Sequence, residues 1–129
     1  AEIGSALKSV LFLSNTKIYR NEISFSNNEL KSEAIIEIEP RDLSIILWNF
    51  VNFILDLANI EKVSVKTNIE KVDTFIQISF NVNKELITKE LLESQISILL
   101  ASKLLNSASG TLSIKSATCF TISLPYIDS

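Results

Sequence analysis

Three polar side chains within one apolar stretch are the residues of this sequence best suited to chemistry. Asn49, Asn52 and Asp56 follow one another at i, i+3 and i+7, so on a helix they form a single stripe. Amide and carboxylate oxygens are the ligands that magnesium prefers, and the stripe could face a magnesium ion or a nucleotide. A solvated stripe is the simpler interpretation, because most surface helices carry one.

Two other features have both a functional and a structural explanation. Trp48 could anchor a partner, since tryptophan is enriched at binding hot spots. In so apolar a helix, however, we expect the indole in the core. An acidic cluster formed by Glu33, Glu37 and Glu39 could bind a cation, but charges on one face of a strand usually form only its solvated side.

Composition and charge exclude several classes of function. The chain has 129 residues, of which 47% are hydrophobic and 21% charged, as is typical of one globular domain. Its net charge is −3 and its lysines and arginines are scattered, so the sequence predicts no basic patch for binding nucleic acid. The longest apolar run, residues 43–58, is interrupted by the polar stripe, so no membrane span is expected. The N-terminus lacks a signal-peptide pattern.

Three residue types are informative because they are rare. The sequence contains no histidine, which excludes a histidine base, metal ligand or phosphoacceptor within these residues. Cys119 is the only cysteine, which indicates a reducing compartment, most simply the cytoplasm. Its one cationic neighbour in sequence is Lys115, so we expect a small apolar role for the thiol rather than reactivity. The absence of methionine, even at position 1, is consistent either with a piece of a longer protein or with modified methionines missing from the printed sequence, which would make motif spacings short by one.

Periodicity predicts three helical regions that alternate with pairs of strands. Residues 6–13 are expected to end a helix, Pro40 to open a long apolar helix reaching about Ala58, and residues 84–107 to be helical with a break near Ser94. Gly110 is expected to stop the last helix. The predicted strands are residues 22–25, 34–39, 62–68, 73–82, 111–115 and 118–124, with turns at 27–28, 69–72 and 116–117. This order indicates an α+β fold, a two-layer sandwich with helices on one face of the sheet.

Two stretches resemble the ATPase domain of histidine kinases, the GHKL type. Residues 42–51, DLSIILWNFV, are similar to the family's entry into its asparagine-box helix. Within residues 99–125, the fragments LL, SGTLSIKS and FTISLP follow the order of the family's closing motifs. The likeness covers about residues 20–125. It implies a mixed sheet covered on one face by helices, and Mg-ATP binding in active members.

The residues that would hold the metal depart from this pattern. Counting from Asn49, the family's magnesium-binding asparagine falls on Phe53, which has no oxygen to offer. Asn52 would come into register only if one residue were missing between Val51 and Asn52. As printed, the sequence therefore predicts a lost metal ligand.

The glycine motifs that wrap the nucleotide are also absent. Residues 80–86 take the place of the family's Asp-x-Gly-x-Gly motif and contain neither aspartate nor glycine. Residues 94–101 take the place of its second glycine-rich box and contain no glycine. Glycine lets backbone approach phosphate closely, so no phosphate cradle is expected. The segment between Val82 and Ser94 is too short for a mobile lid.

The resemblance and the departures together imply a degenerate relative, similar to the C-terminal domain of bacterial histidine phosphotransferases of the ChpT type. We expect residues 1–16 to be the tail of an upstream helical hairpin and residues 17–129 to be an ATPase-like domain without cofactor or metal. The expected role is a non-ATP-binding part of a two-component phosphorelay that helps dock a response-regulator receiver. Phosphotransfer would use a histidine outside this chain. Homodimerisation is left open, and neither nucleic acid nor membrane is expected as a partner.

Two alternatives remain open on the sequence. The first is a divergent but active kinase domain, which would have to bind Mg-ATP without the glycines. The second is a regulator that binds and sequesters a partner, as anti-sigma factors of similar fold do. A histidine-bearing hairpin in the parent gene would favour the phosphorelay role over the second alternative.

Overall fold

A computed structural model describes residues 2–28 and 34–127 of the chain. Five strands form one mixed sheet in the order β1-β2-β3-β5-β4, in which β1 and β2 are parallel and the other neighbours are antiparallel. The expected α+β architecture is confirmed. The elements are α1 Ile3–Leu13, α2 Asn15–Arg20, β1 Phe25–Asn28, α3 Pro40–Glu61, β2 Val65–Val72, β3 Phe75–Val82, α4 Lys89–Glu93, α5 Ile96–Ser107, β4 Thr111–Ser116 and β5 Cys119–Pro125.

The core lies between one face of the sheet and a layer of helices. In β3 every second residue from Ile76 to Val82 is buried, while Gln77 and Ser79 point to the other face. The central helix of the layer is α3, which contacts both α1 and α5. Proline at the first turn of α3 and Asp42 near its positive end favour helix initiation there.

Four phenylalanine rings join α3 to the sheet. Phe50 lies 6.3 Å from Phe80 and 5.9 Å from Phe120 between ring centroids, and Phe80 stacks on Phe120 at 4.9 Å. Phe53 meets Phe120 edge to face at 6.1 Å. All four rings are buried, so this cluster fixes the position of α3 on β3 and β5.

The N-terminal helix is part of this core. Ile3, Leu7 and Val10 lie on one face of α1 and are buried together with residues of α3. Residues before position 17 therefore contribute to the packing of the domain. That residues 1–16 also continue an upstream helical hairpin stays a prediction.

Two strands predicted in the N-terminal third of the chain differ from the structure. The strand expected at residues 22–25 is β1, which begins only at Phe25 and pairs in parallel with β2 from Phe25↔Val65 onward. The expected turn at Asn27 therefore belongs to the strand, and Asn27 accepts a hydrogen bond from Thr67 Oγ1. Residues 34–39 alternate between buried and exposed as predicted, but only Ile35 makes strand-like bridges, because no long partner strand lies beside them.

Two predicted boundaries also shift. The hairpin connection expected at residues 69–72 is wrong, because β2 continues to Val72 and the turn lies at Asp73 and Thr74. Asp73 takes the positive φ of 55° that this tight turn requires. The last helical region starts at Lys89 rather than Lys84, and its predicted break near Ser94 is confirmed by the separation of α4 from α5.

The long helix is more apolar than the sequence-based expectation allowed. By length and composition α3 would suit a membrane span, with 22 residues and a mean hydropathy of 1.6 over its most apolar window, of which 50% is buried inside the domain. The expectation that the polar stripe rules out a span on composition alone was therefore too strict. Packing of nine α3 residues against the core accounts for the apolar composition.

Gly110 is required by a close approach rather than by its backbone angle. The helix-ending left-handed residue is Ser109, with φ 61°, and not Gly110 as the sequence suggests. A Cβ on Gly110 would lie 2.6 Å from the Ser123 carbonyl oxygen and under 3 Å from side-chain atoms of Leu105 and Leu124. Glycine at this position therefore lets α5 return tightly onto β5.

Replacing this glycine is expected to destabilise the domain. Gly110→Ala should lower the free energy of unfolding by about 1–3 kcal/mol, because the methyl group has no space without a backbone shift. Urea denaturation measures the change. Gly4→Ala is the control: its Cβ would meet only the end of the flexible Glu2 side chain, and we expect a change within about 0.5 kcal/mol. Equal effects of the two substitutions would contradict the close-approach explanation.

Candidate functional site

The polar stripe of α3 lines a groove between α2, α3 and the segment that joins α4 to α5. Asn49, Asn52 and Asp56 all contribute to its wall, and its volume is about 370 Å³. The structure thus brings the three predicted residues to one site. The remaining lining residues are Lys17, Trp48, Phe53, Leu57, Ile60, Leu91, Gln95 and Ser97.

A lysine from α2 reaches into this stripe. The Lys17 ammonium forms an ion pair with the Asp56 carboxylate and donates a hydrogen bond of 3.2 Å to Asn52 Oδ1. Its positive charge therefore lies against two of the three oxygen-bearing side chains. Lys17 was not predicted as a site residue, because 35 residues separate it from Asn52 and no local pattern joins the two.

The two asparagines are held by their own helix. Asn49 Nδ2 donates to the Ile45 carbonyl at 2.9 Å, and Asn52 Nδ2 donates to the Trp48 carbonyl at 2.8 Å. These bonds to the preceding turn fix the orientation of both amides. The Asn52 oxygen then faces Lys17, so the amide is engaged at both ends within the protein.

The aromatic residues of the groove face in different directions. Phe53 is buried in the phenylalanine cluster, so the position that aligns with the family's metal ligand contributes a ring to the core. The expectation that Trp48 is a core residue is wrong: its side chain is 41% exposed and lines the groove. Trp48 precedes Asn52 by four residues, which places it on the solvent stripe of α3.

The connection from β3 to α4 is short and bound to the rest of the domain. It spans residues 83–88, in which Ile87 is buried and donates its N–H to the Ala117 carbonyl at 2.7 Å. Lys84 Nζ donates to the Glu61 carbonyl at 3.1 Å, and Asn83 Oδ1 accepts from Ser64 N at 3.0 Å. This connection is therefore a short segment that is hydrogen-bonded to the rest of the domain.

The described residues contain no further cluster of metal-ligating side chains. Among residues 2–28 and 34–127, no three His, Cys, Asp or Glu side chains come together in a way that could hold a metal ion. Glu33 of the proposed acidic cluster lies outside the described residues. Glu37 and Glu39 are exposed.

Cys119 is half-buried at the start of β5, and burial raises the pKa of its thiol, an effect that the nearby Lys115 charge partly offsets. We therefore expect the native thiol to react with DTNB more slowly than the urea-unfolded chain at pH 8. Folding favours the protonated thiol, because its pKa is higher in the folded chain than in the unfolded chain. The resulting contribution to the free energy of unfolding is present below the thiol's pKa in the unfolded chain and is lost as the pH rises through its pKa in the folded chain. Equal native and unfolded rates would contradict this prediction, and the single cysteine makes the signal unambiguous.

The same fold occurs in solved histidine-kinase structures. The nucleotide-free catalytic domain of histidine kinase ThkA is similar with a TM-score of 0.78 and 16% identity, over 97% of this chain and 94% of that one. This chain has the fold of a histidine-kinase ATPase domain. At this level of identity the likeness shows the fold alone. No family model and no curated protein matches the sequence.

Two further structures contain this ATPase fold within longer proteins. ThkA in complex with the response regulator TrrA has a TM-score of 0.78 and 17% identity, over 98% of this chain and 41% of that chain. Full-length ShkA in complex with AMPPNP has a TM-score of 0.77 and 14% identity, over 100% of this chain and 31% of that one. The predicted fold relationship is therefore confirmed, whereas the specific resemblance to ChpT-type proteins is not.

Proposed function

We propose that this domain is a non-ATP-binding signalling module of a cytoplasmic two-component phosphorelay, and that it helps to dock a response-regulator receiver. The observation that supports this proposal best is the position of Lys17. Its ammonium is bound by Asp56 and Asn52, so oxygen atoms that a magnesium ion would need already contact the protein's own lysine.

The composition of the groove supports the same conclusion. Its lining residues include no glycine, so backbone N–H groups cannot approach phosphate as closely as in a glycine-rich loop. Among its lining residues within 2–28 and 34–127, the only lysine or arginine is Lys17, which is paired. Binding of a triphosphate with magnesium would therefore break the ion pair between Lys17 and Asp56 without forming the backbone contacts to phosphate that a glycine-rich loop provides.

The outward side of the helical layer is the surface that we propose for the receiver. It exposes large apolar side chains, and such side chains on a monomer are typical of partner-binding surfaces when they are grouped. The structure of ThkA with the response regulator TrrA supports a partner of this class. The side chains are Ile45, Trp48 and Ile60 of α3 and Ile96, Leu99 and Leu100 of α5.

The first test is a titration of the purified domain with Mg-ATP, followed by thermal shift and calorimetry. A competent site would stabilise the fold by about 2.7 kcal/mol at a ligand concentration one hundred times the dissociation constant. We expect no shift at millimolar Mg-ATP. Lys17→Ala should also show none, because removing the lysine supplies neither glycines nor a lid.

An active histidine-kinase catalytic domain, titrated in parallel, verifies that the assay detects binding. Stabilisation that grows with Mg-ATP concentration in the wild-type domain would refute the non-binding role and favour an active kinase. If only Lys17→Ala responds, the ion pair alone closes the site, and the remaining groove is more complete than we propose.

A further inference from the structure

Strand β4 is the edge of the sheet on the side of β5. Among the described residues only β5 pairs with it, so its outer side carries backbone N–H and C=O groups without a partner strand. Five of its six residues are exposed, and Leu112 is half-buried. Charged residues, proline and bulges usually protect such an edge, and here the protection is one lysine, Lys115, beside the irregularity between Ile114 and Ser116.

The side chains of β4 present an apolar pair towards the helical layer. Leu112 and Ile114 pair with the buried Ile122 and Phe120 of β5, which places them on the helix-covered face of the sheet. Ile114 nevertheless remains 40% exposed, because the sheet ends at β4. An added strand on this edge would cover part of this apolar surface as well as pairing the backbone.

We propose that β4 pairs antiparallel with β4 of a second copy of this chain, with the two-fold axis at Ser113, so that the two sheets join into one of ten strands. In this register Leu112 of each copy lies opposite Ile114 of the other copy, which gives two equivalent contacts. Each Thr111 lies opposite a Lys115. The contact is therefore self-complementary, as a two-fold interface must be.

The charges of the strand permit this arrangement. In the proposed register the two Lys115 side chains are four residue positions apart along the joined strands, or about 13 Å at strand spacing. That separation exceeds the Debye length of about 8 Å at physiological ionic strength, so their repulsion is screened. The neighbouring polar residues, Thr111, Ser113 and Ser116, carry no charge that a second copy would oppose.

Sedimentation velocity from micromolar to millimolar protein tests the proposal. The wild-type mass should rise from 14.4 kDa towards twice that value as the concentration increases. Ser113→Lys and Ser113→Glu each place two like charges directly opposite one another across the axis. Each should weaken dimerisation about fivefold or more.

Mixing these two variants should restore dimerisation, because opposite charges then meet at the axis. Ser9→Lys is the matched control, since it makes the same chemical change at an exposed position on α1, which packs on α3. It should leave the association unchanged. A monomer at every concentration, a dimer that Ser113→Lys does not weaken, or equal weakening by Ser9→Lys would each overturn the proposal.

Discussion

Phe50→Ala is expected to lower the free energy of unfolding by about 3–5 kcal/mol, which is a large share of the roughly 5–15 kcal/mol that stabilises a typical domain. Phe50 has no exposed surface, and its ring contacts both Phe80 and Phe120. The truncation would leave a cavity between α3 and the two central strands. Chemical denaturation followed by circular dichroism measures the loss.

Phe12→Ala is the matched control, because it is the same truncation at a side chain that is 78% exposed on α1. We expect it to change the free energy of unfolding by no more than about 0.5 kcal/mol. If both variants lost the same stability, the phenylalanine cluster would not be the main link between the helical layer and the sheet.

Trp48→Ala is expected to weaken receiver binding about thirtyfold, or about 2 kcal/mol, while changing stability little. This prediction rests on the proposed function. Trp48 is only two residues from Phe50, but it lies on the solvent side of α3, so its truncation opens no internal cavity. Biolayer interferometry against the receiver domains encoded in the source genome, combined with thermal unfolding, separates the two effects.

Phe75→Ala provides the comparison for this variant. Phe75 is 39% exposed, close to the value for Trp48, but the neighbouring Ile76 faces the core, so Phe75 lies on the opposite face of the sheet. Its truncation should leave receiver affinity unchanged. Equal losses in the two variants, or an unchanged affinity of Trp48→Ala, would place the receiver elsewhere than on the helical layer.

The elements predicted correctly are those in which the spacing of apolar residues along the chain already marks the buried side. In α3 the apolar positions and the proline mark both the helix and its start, and in β3 strict alternation marks the buried face. The β4–β5 hairpin was found for the same reason. The antiparallel pairing within the β2–β3 and β4–β5 hairpins follows from their short connections.

The errors concern features that distant partners determine. The residue type of Asn27 predicts a turn, but its pairing with Thr67 of β2 makes it part of a parallel strand pair. The alternation from residue 34 to 39 is real, but a strand also needs a neighbour, which periodicity cannot supply. Lys17 joins the groove through a tertiary contact that no spacing rule predicts.

Trp48 differs from these cases, because the sequence did contain the necessary signal. The stripe Trp48, Asn52, Asp56 and Ile60 has a regular four-residue spacing, so the indole shares the solvent-facing line of α3 with polar side chains. Its type suggested the core, and its helical position suggested the surface. The structure agrees with the position, since the core side of α3 is already filled by other apolar residues.

The anchored connection between β3 and α4 restricts how this domain can take part in regulation. A switch requires an element with two arrangements of similar free energy, which a ligand or partner can bias. Residues 83–88 are instead held at two places, by Ala117 in the β4–β5 turn and by Glu61 and Ser64 where α3 leads into β2. Because the segment is bound in one arrangement, we expect the signal to be the binding or release of the partner. We do not expect the domain to change its own conformation.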